Sequence, residues 1–404
     1  MRFPLRFALF ALLALIAAPS PARDVRPPVT ILISIDGFRA DYLRRGLTPT
    51  LTALGAQGVS ASMRPSFPTK TYPNHYTLVT GLRPDRNGIV ANKMEDPARP
   101  DDTFTMKNSQ DSFWWSEAEP IWAAAEKAGI RAATMFWPGS NVAYDTIRPQ
   151  DWFDYDEAIT DTQRVNTVLD WLRRPAAIRP RLITLFFDIV DTAGHHHGPD
   201  SPEVNVALRQ VDGDIARLRA GLAALGQPAN LVIVADHGMA ASSPDRVVWM
   251  HDIADPADYH MVDEGPVGLI DAVPGHEASL AASLLKAHPH VDCMRKADLP
   301  ARLHYGRNPR VAPFVCLVEI GWLLLDKYPE KWGIDLGSHG YDNQAPEMQA
   351  LFVAAGPDIA HKGRLATFDN VDVYALLRDL LHLPPKAGVD GSDAPFRDVV
   401  RGRQ

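Results

Sequence analysis

Cysteine is nearly absent. Only Cys293 and Cys316 occur in 404 residues, so a thiolate-built zinc site is excluded and any metal must rest on histidine and carboxylate. The pair either forms one disulfide closing a modest loop or stays as two buried thiols; spacing alone does not choose between them. An excess of positive charge is missing too. Lys and Arg number 41 against 49 Asp and Glu, a formal net charge of −8, which argues against general electrostatic binding of nucleic acid. No stable nucleic-acid partner is expected. A small anionic ligand is not excluded, because a local metal site can reverse the field inside a cleft. Long apolar runs are lacking as well. The stretch Phe7–Ala18 falls short of the roughly 20 residues a membrane-spanning helix needs. Arg2 and Arg6 precede it and Ser20-Pro21-Ala22 follows it, which reads as a signal peptide over residues 1–22, with an uncleaved anchor as the alternative. No cysteine lies near the junction to carry a lipid. The mature chain is expected to start near Arg23, periplasmic or secreted, with no membrane span once the signal is removed.

What is present is ordinary globular composition, 46% hydrophobic and 22% charged. Val29–Ile35 is a mostly β-branched run, read as a strand buried on both faces. Similar runs recur at Ala132–Phe136, Leu182–Phe187, Leu231–Ala235 and Ala350–Ala354. Helical spacing separates them at Ile121–Ala128, Val165–Leu172 and Val204–Leu225. The alternation predicts an α/β fold with a mostly parallel central sheet flanked by helices. Between about 240 and 338 it breaks down, which predicts an inserted smaller subdomain within one domain spanning 23–404.

Ligands of such sheets sit beyond the carboxyl ends of the strands, and the polar residues worth singling out follow the apolar runs. Asp36 follows the first. Asp236-His237 follows Leu231–Ala235, with Gly238 permitting a sharp turn. Asp191 and His195 are four residues apart, a spacing that lets a carboxylate and an imidazole reach one metal. His339 lies between glycines in Gly337-Ser338-His339-Gly340. Each alone has a plainer reading as a helix cap, a turn or a solvent-facing loop. His196 and His197 are expected outside the ligand set. In Phe67–His75, Pro73 suits the first turn of a helix and places Thr71 near its capping position, where free N–H groups favour a phosphate. A threonine hydroxyl needs a metal or a base to act as a nucleophile near neutral pH.

Taken together, these pieces resemble the nucleotide pyrophosphatase/phosphodiesterase family of the alkaline phosphatase superfamily, from about Ile31 to about Gly356. The residues that carry the resemblance are Lys70-Thr71-Tyr72-Pro73-Asn74-His75-Tyr76, Val79–Pro84, Gly88–Asn92, Phe136-Trp137-Pro138-Gly139, Asp191 with His195, Ser201-Pro202-Glu203, Asp236–Met239 and His339–Asn343. The resemblance implies an alkaline-phosphatase-like fold and two zinc ions. One zinc would be held by Asp191, His195 and His339. The other would be held by Asp36, Asp236 and His237, with the oxygen of Thr71 beside it as nucleophile. Asn92 would donate to a phosphate oxygen. Tyr72 stands where many relatives have Phe.

The implied reaction is hydrolysis of phosphodiester or pyrophosphate bonds in small nucleotides, releasing nucleoside 5′-monophosphate through a covalent threonine intermediate. Tyr72, Trp152 and Tyr155 are expected to stack on a nucleobase or else to pack the cleft wall. The alternatives are a choline-phospholipid phosphodiesterase, a phosphomonoesterase and a zinc-bound binding protein without turnover. The monoesterase would want an arginine for the extra phosphate charge, for which Arg39 and Arg83 qualify by sequence proximity alone. The binding protein would leave Thr71 and Asn92 unexplained.

Overall fold

The computed structural model describes residues 26–329, 333–360 and 363–401; the signal peptide expected over 1–22 lies outside them. The central sheet forms where the apolar runs lie. Its strands are β1 (Val29–Ile35), β2 (Val59–Arg64), β3 (Ala132–Met135), β4 (Asp151–Trp152), β5 (Leu182–Phe187), β6 (Ala229–Val234), β7 (Ala350–Ala355), β8 (Gly363–Arg364) and β9 (Phe368–Asp369). They run in the order β8-β2-β7-β6-β1-β5-β3-β4, with β9 beside β2. β1 is buried at every position and pairs in parallel with β5 and β6. β7 runs antiparallel to both of its neighbours, so the sheet is mostly parallel with one reversed strand.

Two details differ from the apolar pattern. β3 stops at Met135 because Phe136 turns out of the strand with φ of 61°, a conformation unfavourable for a side chain of that size. β2 alternates buried and half-buried positions, and its interleaved Ser60, Ser62 and Arg64 break any continuous apolar run.

Helices cover the sheet. In α1 (Thr71–Thr80) the last eight residues are all buried. α2 (Asp161–Arg173) begins with a capping box in which Thr160 and Gln163 satisfy each other's free N–H groups. It buries Val165, Val168, Leu169 and Leu172, the spacing of one helix face. α3 (Ile189–His197) follows β5 after a single residue. Ser201 caps α4 (Pro202–Ala224) by accepting the N–H of Val204.

A second, four-stranded antiparallel sheet occupies 259–318, in the order Tyr259–Asp263, Val267–Ala272, Phe314–Val318, Val291–Arg295. Val267, Leu269 and Val315 join the main core, while Ile270 and Phe314 build a smaller one. Cys293 and Cys316 are direct cross-strand partners here and are joined as a disulfide. Among the described residues no helix is long and apolar enough to cross a membrane.

The bridge closes a loop across a sequence separation of 23, a length for which constraint of the unfolded chain stabilises by about 3 kcal/mol. Reduction, or the Cys293→Ala/Cys316→Ala double variant, is therefore expected to lower unfolding stability by that order, read as a shift in denaturant midpoint. Equal midpoints with and without reductant would contradict it.

Candidate metal centre

The parallel register sets the site. Ile35 lies beside Phe187, and Ser34 beside Val234, so the carboxyl ends of β1, β5 and β6 open side by side. Asp36 continues β1 and donates its N–H to Phe187 O at 2.9 Å. Asp236 and His237 follow β6, and Asp191 and His195 sit on α3. The two strand-end segments can approach because Gly37 takes φ of +67°, and a Cβ there would stand 2.9 Å from the Cα of Asp191. Gly238 is equally constrained: a Cβ would come within 2.0 Å of Glu347 O.

The imidazole orientations follow from their hydrogen bonds. A carbonyl can only accept, so Nδ1 of His237 donates to Gly238 O at 2.9 Å, and Nδ1 of His339 donates to Thr69 O at 2.9 Å. Nδ1 of His195 faces Asp335 Oδ2 at 3.1 Å. With Nδ1 so engaged, His237 and His339 can each offer the Nε2 lone pair to an ion, and every Nε2 stands close to other ligand atoms. Nε2 of His237 lies 2.9 Å from Asp236 Oδ2 and 3.4 Å from Asp36 Oδ1. Nε2 of His339 lies 3.1 Å from Nε2 of His195 and 3.8 Å from Asp191 Oδ1. Nε2 of His195 is 3.5 Å from Asp191 Oδ2. Buried oxygens Asp36 Oδ1, Asp191 Oδ1 and Asp236 Oδ2 have no hydrogen-bond partner. Buried acceptors that face one another without a proton between them are costly. A cation held among them removes that cost.

Without an ion, protons take up part of this crowding: burial lowers both rings, but Asp236 outweighs it at His237 and Asp191 outweighs it at His195, which is raised to about 9. Burial, together with Asp236 and Asp191, pushes Asp36 well above the ordinary carboxylate range. Burial, then the neighbouring His237 and His195, holds His339 well below the ordinary histidine value. Burial would also raise Asp236, but His237 and His75 outweigh it and hold that carboxyl well below its usual range. Three overlapping groups of ligand atoms have the spacing to hold an ion: Asp191, His195 and His339; Asp36, Asp191 and His237; and Asp36, His75 and Asp236. The residue types are the nitrogen and oxygen ligands of zinc.

All six residues singled out for metal thus lie together, and Thr71 lies with them, its Oγ1 3.3 Å from His237 Nε2. Thr71 is the first residue of α1, not its cap; Lys70 holds the capping position and makes no side-chain cap. Asn92 accepts the N–H of Tyr72 through Oδ1 at 2.9 Å, which leaves its amide N–H groups as donors within the cleft that it lines. The cleft has a volume of about 920 Å³. Tyr72 lines it, packed edge-on against Phe104. Tyr155 is about half exposed on its wall and donates to Asp188 Oδ2 at 2.8 Å. Trp152 is not on that wall. It lies in β4 under the guanidinium of Arg148, and Phe153 lines the cleft instead.

Neither arginine considered for an extra phosphate charge reaches the cleft. Arg39 pairs with Asp41 and Asp200, and Arg83 pairs with Asp369. The cleft's described lysines are Lys70, bound to Asp263 at 2.5 Å, and Lys107. Sequence reasoning passed over His75, Asp335 and Asp188. His75 stood in the motif at one helical turn from Thr71, but nothing in the pattern told what its ring would touch.

Residues 30–342 match the family described as type I phosphodiesterase / nucleotide pyrophosphatase. The chain is 37% identical over 396 residues to an uncharacterized pyrophosphatase/phosphodiesterase of Schizosaccharomyces pombe, covering 93% of this chain and 81% of that one. It is 37% identical over 355 residues to a bis(5′-adenosyl)-triphosphatase of Xenopus laevis, covering 87% and 77%. It is likewise 37% identical to ectonucleotide pyrophosphatase/phosphodiesterase family member 1 of Rattus norvegicus over 92% of this chain, but spans 42% of that protein's length. Among solved structures, murine ectonucleotide pyrophosphatase/phosphodiesterase 5, as an inactive threonine-to-alanine variant in complex with AMP, superposes with a TM-score of 0.88. Identity to it is 33%, covering 93% of this chain and 100% of that one.

The crowd of carboxylates predicts opposite effects of one substitution. With chelator present, Asp36→Asn is expected to raise the melting temperature by about 2 °C or more, because it removes a carboxyl whose ionisation burial, Asp236 and Asp191 all oppose. With a divalent metal added, wild type is expected to gain more than the variant. Thermal melts with chelator and with zinc check both; equal metal-induced gains would contradict the ligand assignment.

Proposed function

The chain belongs to the type I phosphodiesterase / nucleotide pyrophosphatase family of hydrolases, and on that premise we propose that it cleaves phosphodiester or pyrophosphate bonds of nucleotides in this cleft, releasing nucleoside 5′-monophosphate. The observation that carries the reading is the Thr71 hydroxyl, 3.3 Å from His237 Nε2 at the rim of the converging ligand atoms. Two zinc ions are the proposed cofactors, one held by Asp191, His195 and His339, the other by Asp36, Asp236 and His237. When bound, such ions neutralise phosphoryl oxygens and lower the pKa of a hydroxyl or a water.

The chain's own groups then have distinct tasks. Thr71 Oγ forms a bond to phosphorus as the ester or anhydride P–O bond opposite it breaks, and the leaving group departs. The threonine proton passes through solvent to the leaving oxygen, and water then cleaves the resulting nucleotidyl-threonine ester, restoring the hydroxyl and freeing the nucleoside monophosphate. Asn92, its carbonyl oxygen tied to the Tyr72 N–H, keeps a donor aimed into the cleft for the phosphate oxygen as charge builds on it. Tyr155, braced by Asp188, and Tyr72 offer ring surface for a base. The names of the frog and mouse relatives, a bis(5′-adenosyl)-triphosphatase and an inactive variant in complex with AMP, support nucleotide substrates.

A phosphomonoesterase fits less well, since no described arginine lines the cleft. Export to the periplasm or beyond is the proposed location, supported by the Cys293–Cys316 bridge, which persists in oxidising compartments.

Purified protein is expected to turn over p-nitrophenyl thymidine monophosphate in preference to p-nitrophenyl phosphate and a choline phosphodiester. Thr71→Ala is expected to lower kcat by about 10³-fold or more. Undiminished kcat in that variant rules out the nucleophile, and no turnover in the zinc-loaded wild type favours a binding protein. Tyr155→Ala is expected to raise KM for the nucleotide substrate by about 5–150-fold, the worth of about 1–3 kcal/mol of stacking, with a smaller effect on kcat. Unchanged KM would place the base elsewhere.

A further inference from the structure

His75 is fully buried, lies one turn after Thr71 on α1, and touches three of the elements that build the site. Its Nδ1 is 2.9 Å from Thr71 O and 3.4 Å from Asp236 Oδ2. Its Nε2 is 2.8 Å from Ser34 Oγ, two residues before Asp36 on β1. Trp137 and Phe186 hold the ring edge-on at centroid distances of 5.0 and 5.3 Å, and Trp137 Nε1 donates to His75 O at 3.1 Å. The tautomer follows from the partners. A carbonyl and a carboxylate both accept, so the proton sits on Nδ1, and Nε2 accepts from the Ser34 hydroxyl.

That assignment excludes His75 as a metal ligand, although its atoms lie close enough to Asp36 and Asp236 to form a ligand group with them. Nε2, the nitrogen with the lone pair, faces Ser34. Nδ1 donates its proton to the nucleophile's carbonyl and lies in contact with Asp236 Oδ2 at 3.4 Å. The carboxylate of Asp236 otherwise accepts one weak backbone bond, from the Gly37 N–H to Oδ1 at 3.3 Å.

We propose that His75 is a positioning residue, orienting Asp236 and the first turn of α1 so that the ion held by Asp36, Asp236 and His237 and the Thr71 hydroxyl keep a fixed relation. The proposal rests on reading the cleft as a two-zinc site. A polar partner behind a ligand tunes its metal by about 10–100-fold in affinity, and the loss falls on one ion of the two, because the side-chain polar contacts of His75 are with Ser34, Thr71 and Asp236.

Zinc stoichiometry and affinity, measured by chelator competition on the full-length protein, test this apart from activity. His75→Ala is expected to bind one zinc as tightly as wild type and the other about 10–100-fold more weakly, with kcat reduced and KM little changed. His75→Asn, whose amide N–H can stand where Nδ1–H stood, is expected to recover much of the affinity, while His75→Gln, which reaches the Nε2 position, is not. The Asn and Gln pair carries the comparison even if the alanine variant fails to fold. Two ions held at wild-type affinity in His75→Ala, or Asn no better than Gln, overturns the proposal. Wild type that binds no zinc at all sinks the two-zinc reading and this one with it, a result distinguishable from failure in the variants alone.

Discussion

Everything at this site depends on a collision of lone pairs. Three strand ends and one loop deliver carboxylate oxygens and imidazole nitrogens into a space with fewer protons than ligand atoms. Asp236 Oδ2 faces His237 Nε2 at 2.9 Å, and His195 Nε2 faces His339 Nε2 at 3.1 Å. In a low-dielectric interior such contacts persist only with compensating positive charge. The parallel register of β1, β5 and β6 is therefore more than packing. It fixes how closely acidic groups are forced together, and the stability of the folded core makes that crowding possible.

The fold was largely legible because the central strands are buried on both faces and leave continuous β-branched runs. Val29–Ile35 and Leu182–Phe187 declare themselves in that way. Val59–Arg64 does not, since its Ser60 and Ser62 look like loop, and the pairing with Ala350–Ala355 that makes it a strand joins residues nearly three hundred positions apart. The metal-type side chains could be named because each follows a strand or shares a helical turn, and topology brings strand ends to one edge. Their partners could not be named. Asp335 meets His195, and Asp188 meets Tyr155, across folds of the chain that no local spacing records. On the aromatic wall, Phe153 lines the cleft and Trp152 does not. Along an extended backbone a step of one residue exchanges faces, and aromatic identity is blind to that phase.

Charge shapes the cleft outside the ligand groups too. Lys70 stands beside Thr71 in sequence, yet its ammonium is committed to Asp263 in the second sheet and to Glu264 O. The antiparallel sheet, cross-braced by its disulfide, thereby reaches the residue next to the proposed nucleophile. A part of the chain that looks peripheral in the order of its elements contributes directly to the wall around the reacting hydroxyl.

Gly37 has the most general consequence. With only 2.9 Å between the place of its missing Cβ and the Cα of Asp191, the segment bearing Asp36 and the helix bearing Asp191 meet main chain to main chain. Side chains flex and loops drift, but two backbones in hard contact act as a mechanical stop. The separation between the halves of the centre is gauged by covalent dimensions, as the jaws of a caliper are, and any substituent at position 37 would be a wedge between them.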